Sequence, residues 1–129
     1  MFNFFKKKSK YPPFRILTNF HKRHAYFLRN AEWSQLDESS TLVTEPVQLT
    51  VLTLQNWQQY IFLSAIGEQT VEQFVYAAAD KITPPIPYSL DQTIIFELLA
   101  LERKGIIVFA DKKQPLPKEF ELPGMGGLK

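Results

Sequence analysis

The residues that could do chemistry are few. His21 and His24 are the only histidines, three apart in the run His21-Lys22-Arg23-His24. Imidazoles at that spacing could begin a metal site. A zinc site without cysteine takes its other ligands from a further histidine or from carboxylates. The chain has no cysteine and no third histidine, and its first carboxylate is Glu32. Lys22 and Arg23, lying between the two rings, would also repel a cation. The run therefore reads as a solvated turn, and no metal is expected.

Other chemistries fail on similar grounds. Without cysteine there is no thiolate nucleophile, no thiolate ligand and no disulfide. Gly124-Met125-Gly126-Gly127 has no strand before it and no helix after it, and a phosphate-binding loop needs both. No nucleophile elbow occurs. The carboxylates are scattered, with no pair placed as acid and base. The sequence predicts no enzyme and no cofactor, which leaves binding.

Charge is the first binding signal. Residues 1–31 carry eight Lys or Arg and no acid, whereas residues 32–129 carry seven basic and thirteen acidic residues. A basic arm on an acidic body can contact an anionic surface, and Lys6, Lys7, Lys8, Lys10, Lys22 and Arg23 are the candidate contacts. The bland alternative is a solvated, loose terminus. Phe2, Phe4 and Phe5 beside the lysines admit a peripheral membrane contact. No run of apolar residues is long enough to span a bilayer. The short apolar start precedes its positive charges, the reverse of a secretory signal, so the expected location is cytoplasmic.

The elements that must carry any site follow from pattern. The length fits one domain, divided as a basic lead over 1–12, an α+β body over 13–111 and a Pro/Gly-rich extended tail over 112–129. Phe14 to Thr18 and His24 to Arg29 read as strands, and Trp33 to Ser40 as a polar loop. Val47 to Leu54 reads as the clearest strand, with Val47, Leu49 and Val51 alternating with polar residues before Leu52 and Leu54 take over the apolar phase. Three helices follow. The first covers Leu54 to Ile66, with Gly67 at its close. The second is capped by Thr70 with Gln73 and runs to about Lys81. A stiff Pro84-Pro85-Ile86-Pro87 link leads to the third, from Ser89 to Lys104, with Ser89 and Gln92 as another capping pair. Ile106 to Phe109 is one short buried strand. The fold class is α+β, with N-terminal antiparallel strands packed on a winged-helix-like three-helix unit and a short closing strand.

The third helix carries the sharpest functional hint. Leu90, Ile94, Leu98 and Leu101 make one apolar stripe, and Ile95, Phe96 and Leu99 make a second. A helix apolar on two sides is buried twice, here under the N-terminal sheet, or it lines a groove for a peptide, a protein partner or a second copy. The same helix speaks against reading DNA, because Asp91, Glu97 and Glu102 precede or flank its only cations, Arg103 and Lys104.

Leu54-Gln55-Asn56-Trp57 through Ile61-Phe62-Leu63, then Ile66-Gly67-Glu68-Gln69-Thr70-Val71-Glu72-Gln73-Phe74-Val75, and later Leu98 to Ile107, resemble the PqqD-like family over roughly residues 47–108. The resemblance implies a three-stranded sheet on three helices and binding of a leader peptide, which adds to a sheet edge beside the third helix. The matching positions here are the Val47 to Val51 strand and the Ile95, Phe96, Leu99 face. The longer N-terminal region, the Pro84 to Pro87 link and the tail depart from that pattern. The leading expectation is a non-enzymatic protein- or peptide-binding module, using Val47, Leu49, Val51, Ile95, Phe96 and Leu99. The alternative is a winged-helix nucleic-acid-binding protein.

Overall fold

The computed structural model describes residues 10–124. Candidate contacts Lys6, Lys7 and Lys8, and the phenylalanines before them, lie outside the described residues.

The chain is pinned from its first described residues. Tyr11 meets the Tyr76 ring edge-on at 4.8 Å. Its hydroxyl donates to Asp80 at 2.6 Å, and Lys10 pairs with the same carboxylate at 3.1 Å. These two partners, Tyr11 foremost, hold the Asp80 carboxyl below its ordinary pKa.

Phe14 to Thr18 does not form the expected strand. It is one helical turn, α1 (Arg15–Thr18). Phe14 and Leu17 are buried while Arg15, Ile16 and Thr18 face out, a three-residue step that belongs to a helix. The buried carboxylate of Asp91 accepts the Leu17 N–H at 2.9 Å and fixes the turn from outside.

Along the chain follow β1 (Tyr26–Arg29), β2 (Trp33–Asp37), β3 (Ser40–Thr44), β4 (Val51–Gln55), α2 (Asn56–Ser64), β5 (Ile66–Thr70), α3 (Val71–Asp80), α4 (Leu90–Arg103) and β6 (Ile107–Ala110). A 3-10 turn, Lys118–Phe120, lies in the tail. The strands form two antiparallel three-stranded sheets, ordered β5-β1-β6 and β2-β3-β4. The architecture is α+β. The helical half runs α2, β5, α3, α4, β6, and the N-terminal strand β1 fills the middle of its sheet.

Trp33 to Ser40 is not a loop but β2 and the turn into β3, with Trp33 opposite Val43. Its polarity misled because an antiparallel strand can leave one face in water. The first long helix is shorter than the Leu54 to Ile66 span expected for it, and Ile61 within it and Ala65 at its close are fully buried. Gly67 has φ +79 but lies within β5 rather than at the helix close. A Cβ there would collide with the Gln114 carbonyl and the Leu28 side chain, so glycine is required by close approach of the tail.

The capping box at Thr70 forms as expected. Thr70 Oγ1 accepts the Gln73 N–H at 3.1 Å, and Gln73 Oε1 accepts the Thr70 N–H at 2.8 Å. The box expected at Ser89 does not form. Asp91 takes the polar role there, accepting the Gln92 N–H at 2.9 Å while it also holds α1. The stripe Leu90, Ile94, Leu98 and Leu101 is buried in the core that both sheets share.

The tail is held as far as Gly124 rather than loose. The Gln114 N–H donates to Gly67 O at 3.2 Å, and the Gly124 N–H donates to Trp33 O at 2.6 Å. Arg29, 5% exposed, anchors the segment between them. Its guanidinium donates to the carbonyls of Phe62, Leu63, Phe120 and Glu121 at 2.9–3.3 Å. It thereby answers the Leu63 carbonyl at the end of α2 and adds a second donor to Phe62 O, which already accepts the Ala65 N–H at 3.1 Å.

Candidate binding surface

The second sheet has two edges, and they are treated differently. The Thr44 N–H donates to Glu32 O at 2.9 Å, so the Thr44 backbone faces the β2 side. The Glu45 N–H donates to Thr50 O at 2.8 Å, which makes Glu45 and Thr50 a hydrogen-bonded pair. In an antiparallel ladder such pairs alternate with pairs whose backbone groups point away. Carried along the register Thr44↔Val51, Leu42↔Thr53, Ser40↔Gln55, this turns the N–H and C=O groups of Val51, Thr53 and Gln55 away from β3. They point to the outer edge of β4, where no described strand lies, except that the Gln55 carbonyl, at the N-cap of α2, takes the first helical hydrogen bond. The outer edge of β2, by contrast, takes the tail through Gly124 and Trp33 O.

Natural edge strands are blunted by lysine, proline or a bulge. β4 has none of these. Its register with β3 is unbroken, and from Pro46 to Gly67 the chain holds no Asp, Glu, Lys or Arg. That stretch covers the loop before β4, β4 itself, all of α2 and the start of β5. Its exposed part, with the half-buried rings of Trp57 and Tyr60, is poor in charge and rich in aromatic surface, as interface cores are.

The loop before β4 adds apolar surface. Val47, Leu49 and Val51 are 73%, 72% and 61% exposed. The strand expected over Val47 to Leu54 begins only at Val51, and Pro46 to Gln48 is turn. Leu49 has φ +60, a region that costs a non-glycine residue roughly 1–2 kcal/mol. The loop is held by the Leu49 N–H donating to Glu45 O and the Gln48 N–H donating to the Glu45 carboxylate. The apparent slip in the apolar phase is this change from loop to strand. Val51 faces solvent, whereas Leu54 is buried and Leu52 half-buried.

Beside the edge lies a cleft of about 400 Å³ between β4, the start of α2 and Glu97 of α4, lined by Thr53, Gln55, Trp57 and Gln58. Asn56, at φ +55, makes the sharp bend from strand to helix. Behind it Asn56, Trp57 and Tyr60 line a hollow of about 280 Å³ with little polar surface. Gln58 Nε2 donates to Glu97 Oε1 at 3.0 Å and ties α2 to α4 at the cleft wall.

The second apolar stripe of α4 divides. Ile95 is 5% exposed and belongs to the core, Leu99 is half-buried against it, and Phe96 is 64% exposed. What packs on α4 from the N-terminal side is α1, rather than a sheet as expected. Phe96→Asp should therefore shift stability by no more than about 0.5 kcal/mol, whereas Ile95→Asp should cost about 2–4 kcal/mol. Urea unfolding of the two variants reads this directly, and a collapse of the Phe96 variant would place that ring in the core.

Among the described residues, the candidate anion contacts Lys10, Lys22 and Arg23 are each engaged separately. Lys10 is paired with Asp80, and Lys22 sits over the Phe109 ring at 5.5 Å. Arg23 donates to the Thr18 carbonyl and to His24 Nε2. Among the described residues no group of three His, Cys, Asp or Glu could hold a metal ion, and no helix is long and apolar enough to cross a membrane.

The signal for the open edge was present in the sequence. It is the uncharged run from Pro46 to Gly67, not the alternation within Val47 to Leu54. No protein family, curated protein or solved structure matches this chain.

Proposed function

We propose that this chain is a non-enzymatic protein- or peptide-binding module that takes an extended segment onto the outer edge of β4. The observation that carries the reading is the edge itself: outward N–H groups at Val51, Thr53 and Gln55 and outward carbonyls at Val51 and Thr53, on a strand without charge, proline or bulge. Strand addition draws affinity from main-chain hydrogen bonds and specificity from the pockets beside them. The cleft along Thr53, Gln55 and Trp57 supplies such a pocket, and exposed Val47 and Leu49 extend the apolar contact beyond the strand. The resemblance to the PqqD-like family points the same way.

The test uses displayed random peptides selected against the whole chain. Thr53→Pro removes one outward N–H where the ladder to β3 does not use it, and an edge strand tolerates proline there. Selected peptides should bind the wild-type chain and lose about tenfold or more in affinity for Thr53→Pro, the loss of about one main-chain hydrogen bond plus a local clash. Peptides that bind both proteins equally would place the site elsewhere.

A further inference from the structure

We infer that the extended segment taken by β4 is β4 of a second copy of this chain, so that two meanders join into one continuous sheet about a two-fold axis. The inference rests on the strand-addition reading above and names its partner. Three observations favour self-pairing.

The first is register. The outward backbone groups belong to alternate residues, Val51, Thr53 and Gln55. In an antiparallel edge-to-edge pair each such residue exchanges both hydrogen bonds with its partner. A two-fold axis at Thr53 sets Thr53 against the second copy's Thr53, and Val51 against the second copy's Gln55. The outward N–H groups of Thr53 and Gln55 and the outward carbonyls of Val51 and Thr53 are then satisfied, while the Gln55 carbonyl serves the first turn of α2.

The second is charge. In a two-fold contact a charged residue near the axis meets its own image, and like charges directly opposite are destabilising. A self-pairing strand must therefore be free of charge at its centre. β4 itself is free of charge, with Glu97 at the cleft and Lys81 over the Tyr60 ring lying off the strand, and the central pair would be Thr with Thr, a favourable cross-strand combination. A strand selected only for a foreign partner has no such requirement.

The third is shape. Antiparallel pairing lays the Leu49 end of one β4 against the Asn56 end of the other. The first end presents exposed Val47 and Leu49. The second presents the apolar hollow of Asn56, Trp57 and Tyr60. The strand thus has exposed apolar side chains beyond one end and an apolar hollow at the other, the two ends that a two-fold contact brings together.

The experiment is sedimentation equilibrium on the full chain across a wide concentration range, with two charge variants. The wild-type chain should reach dimer mass as concentration rises. Thr53→Lys and Thr53→Glu, each alone, should associate at least about tenfold more weakly, because each places like charges face to face. An equimolar mixture of the two should recover association, since Lys then faces Glu. A fold defect in either variant would not be repaired by mixing. A wild-type chain that stays monomeric at every concentration overturns the self-pairing, and so does a dimer indifferent to both variants. If the chain is monomeric while selected peptides still distinguish Thr53→Pro, the inference fails and the strand-addition reading stands. If those peptides also ignore Thr53→Pro, both fail.

Discussion

Arg29→Met will destabilise the domain by about 3 kcal/mol or more, and it will free the tail before the rest unfolds. The side chain is buried at the meeting point of three segments. Nε donates to Phe120 O at 2.9 Å and Nη2 to Glu121 O at 3.1 Å, while Nη1 reaches Phe62 O and Leu63 O at 3.3 and 3.0 Å. The guanidinium also lies over the Trp33 and Phe62 rings, at 5.0 and 5.6 Å. Burial pushes its pKa below the ordinary value, and the charge of Glu121 pulls it back. Methionine would fill much of the space and donate nothing, so the Leu63 carbonyl at the end of α2 and the Glu121 carbonyl of the tail would lose this donor, while Phe62 O keeps only the Ala65 N–H. Lysine would not restore the stability, because one ammonium cannot span segments that a planar fork reaches from several nitrogens. Trp33→Phe should cost less, about 1 kcal/mol, since it removes the indole N–H that shares Phe120 O and trims the ring beneath the guanidinium without taking the guanidinium away. Urea unfolding measures the first loss, and faster proteolysis beside Lys118 measures release of the tail. Arg29→Met with wild-type stability would mean that water replaces those hydrogen bonds without cost.

Phe74→Ala will cost about 3–5 kcal/mol and leave the chain only marginally folded. Phe74 is 1% exposed at the join between α3, α2 and the first sheet. Its ring meets Phe27 of β1 edge-on at 5.4 Å and Tyr60 of α2 at 5.2 Å. Truncation leaves a cavity bounded by two rings, a helix and a strand, none of which can collapse into it without leaving its other partners. Tyr60 also borders the apolar hollow at the start of α2. The loss should therefore loosen the proposed surface as well as the core. Phe74→Leu keeps more of the volume and should lose roughly half as much. Thermal unfolding of both variants checks the ranking, and equal losses would contradict it.

Features fixed by local chemistry could be read from the sequence. The capping box of Thr70 and Gln73, the helix it starts, the non-helical Pro84 to Pro87 link and the buried stripe of α4 depend on neighbours within a turn or two. Features fixed by distant partners could not. α1 passed for a strand because what holds it helical is Asp91, a buried carboxylate 74 residues away. That same carboxylate is taken up by α1 and Gln92, and the Ser89 side chain makes no cap bond. Arg29 gave no local sign at all, since its acceptors lie on α2 and on the tail. The tail looked loose because prolines and glycines were weighed without its bonds to Gly67, Arg29 and Trp33.

The candidate site was legible in part. Val47, Leu49 and Val51 were singled out for strand alternation, yet only Val51 is in a strand, and all three are exposed. Of the α4 residues, Ile95 is core and only Phe96 is largely exposed. Whether an edge is open depends on which strands pair, and pairing is a tertiary property that apolar periodicity does not carry. The missing charges between Pro46 and Gly67 carry it better, because an edge that must stay alone in water is ordinarily charged.

Amide hydrogen exchange, residue by residue along β4, tests the open edge most directly. In dilute solution Leu52 and Leu54, whose N–H groups point to β3, should exchange slowly, while Val51, Thr53 and Gln55 exchange at nearly the rate of free chain. At high concentration, or with a selected peptide bound, those three amides should become protected and the alternation should vanish. Equal protection of all five amides in the dilute chain would mean that the protein covers this edge itself, and would contradict the account.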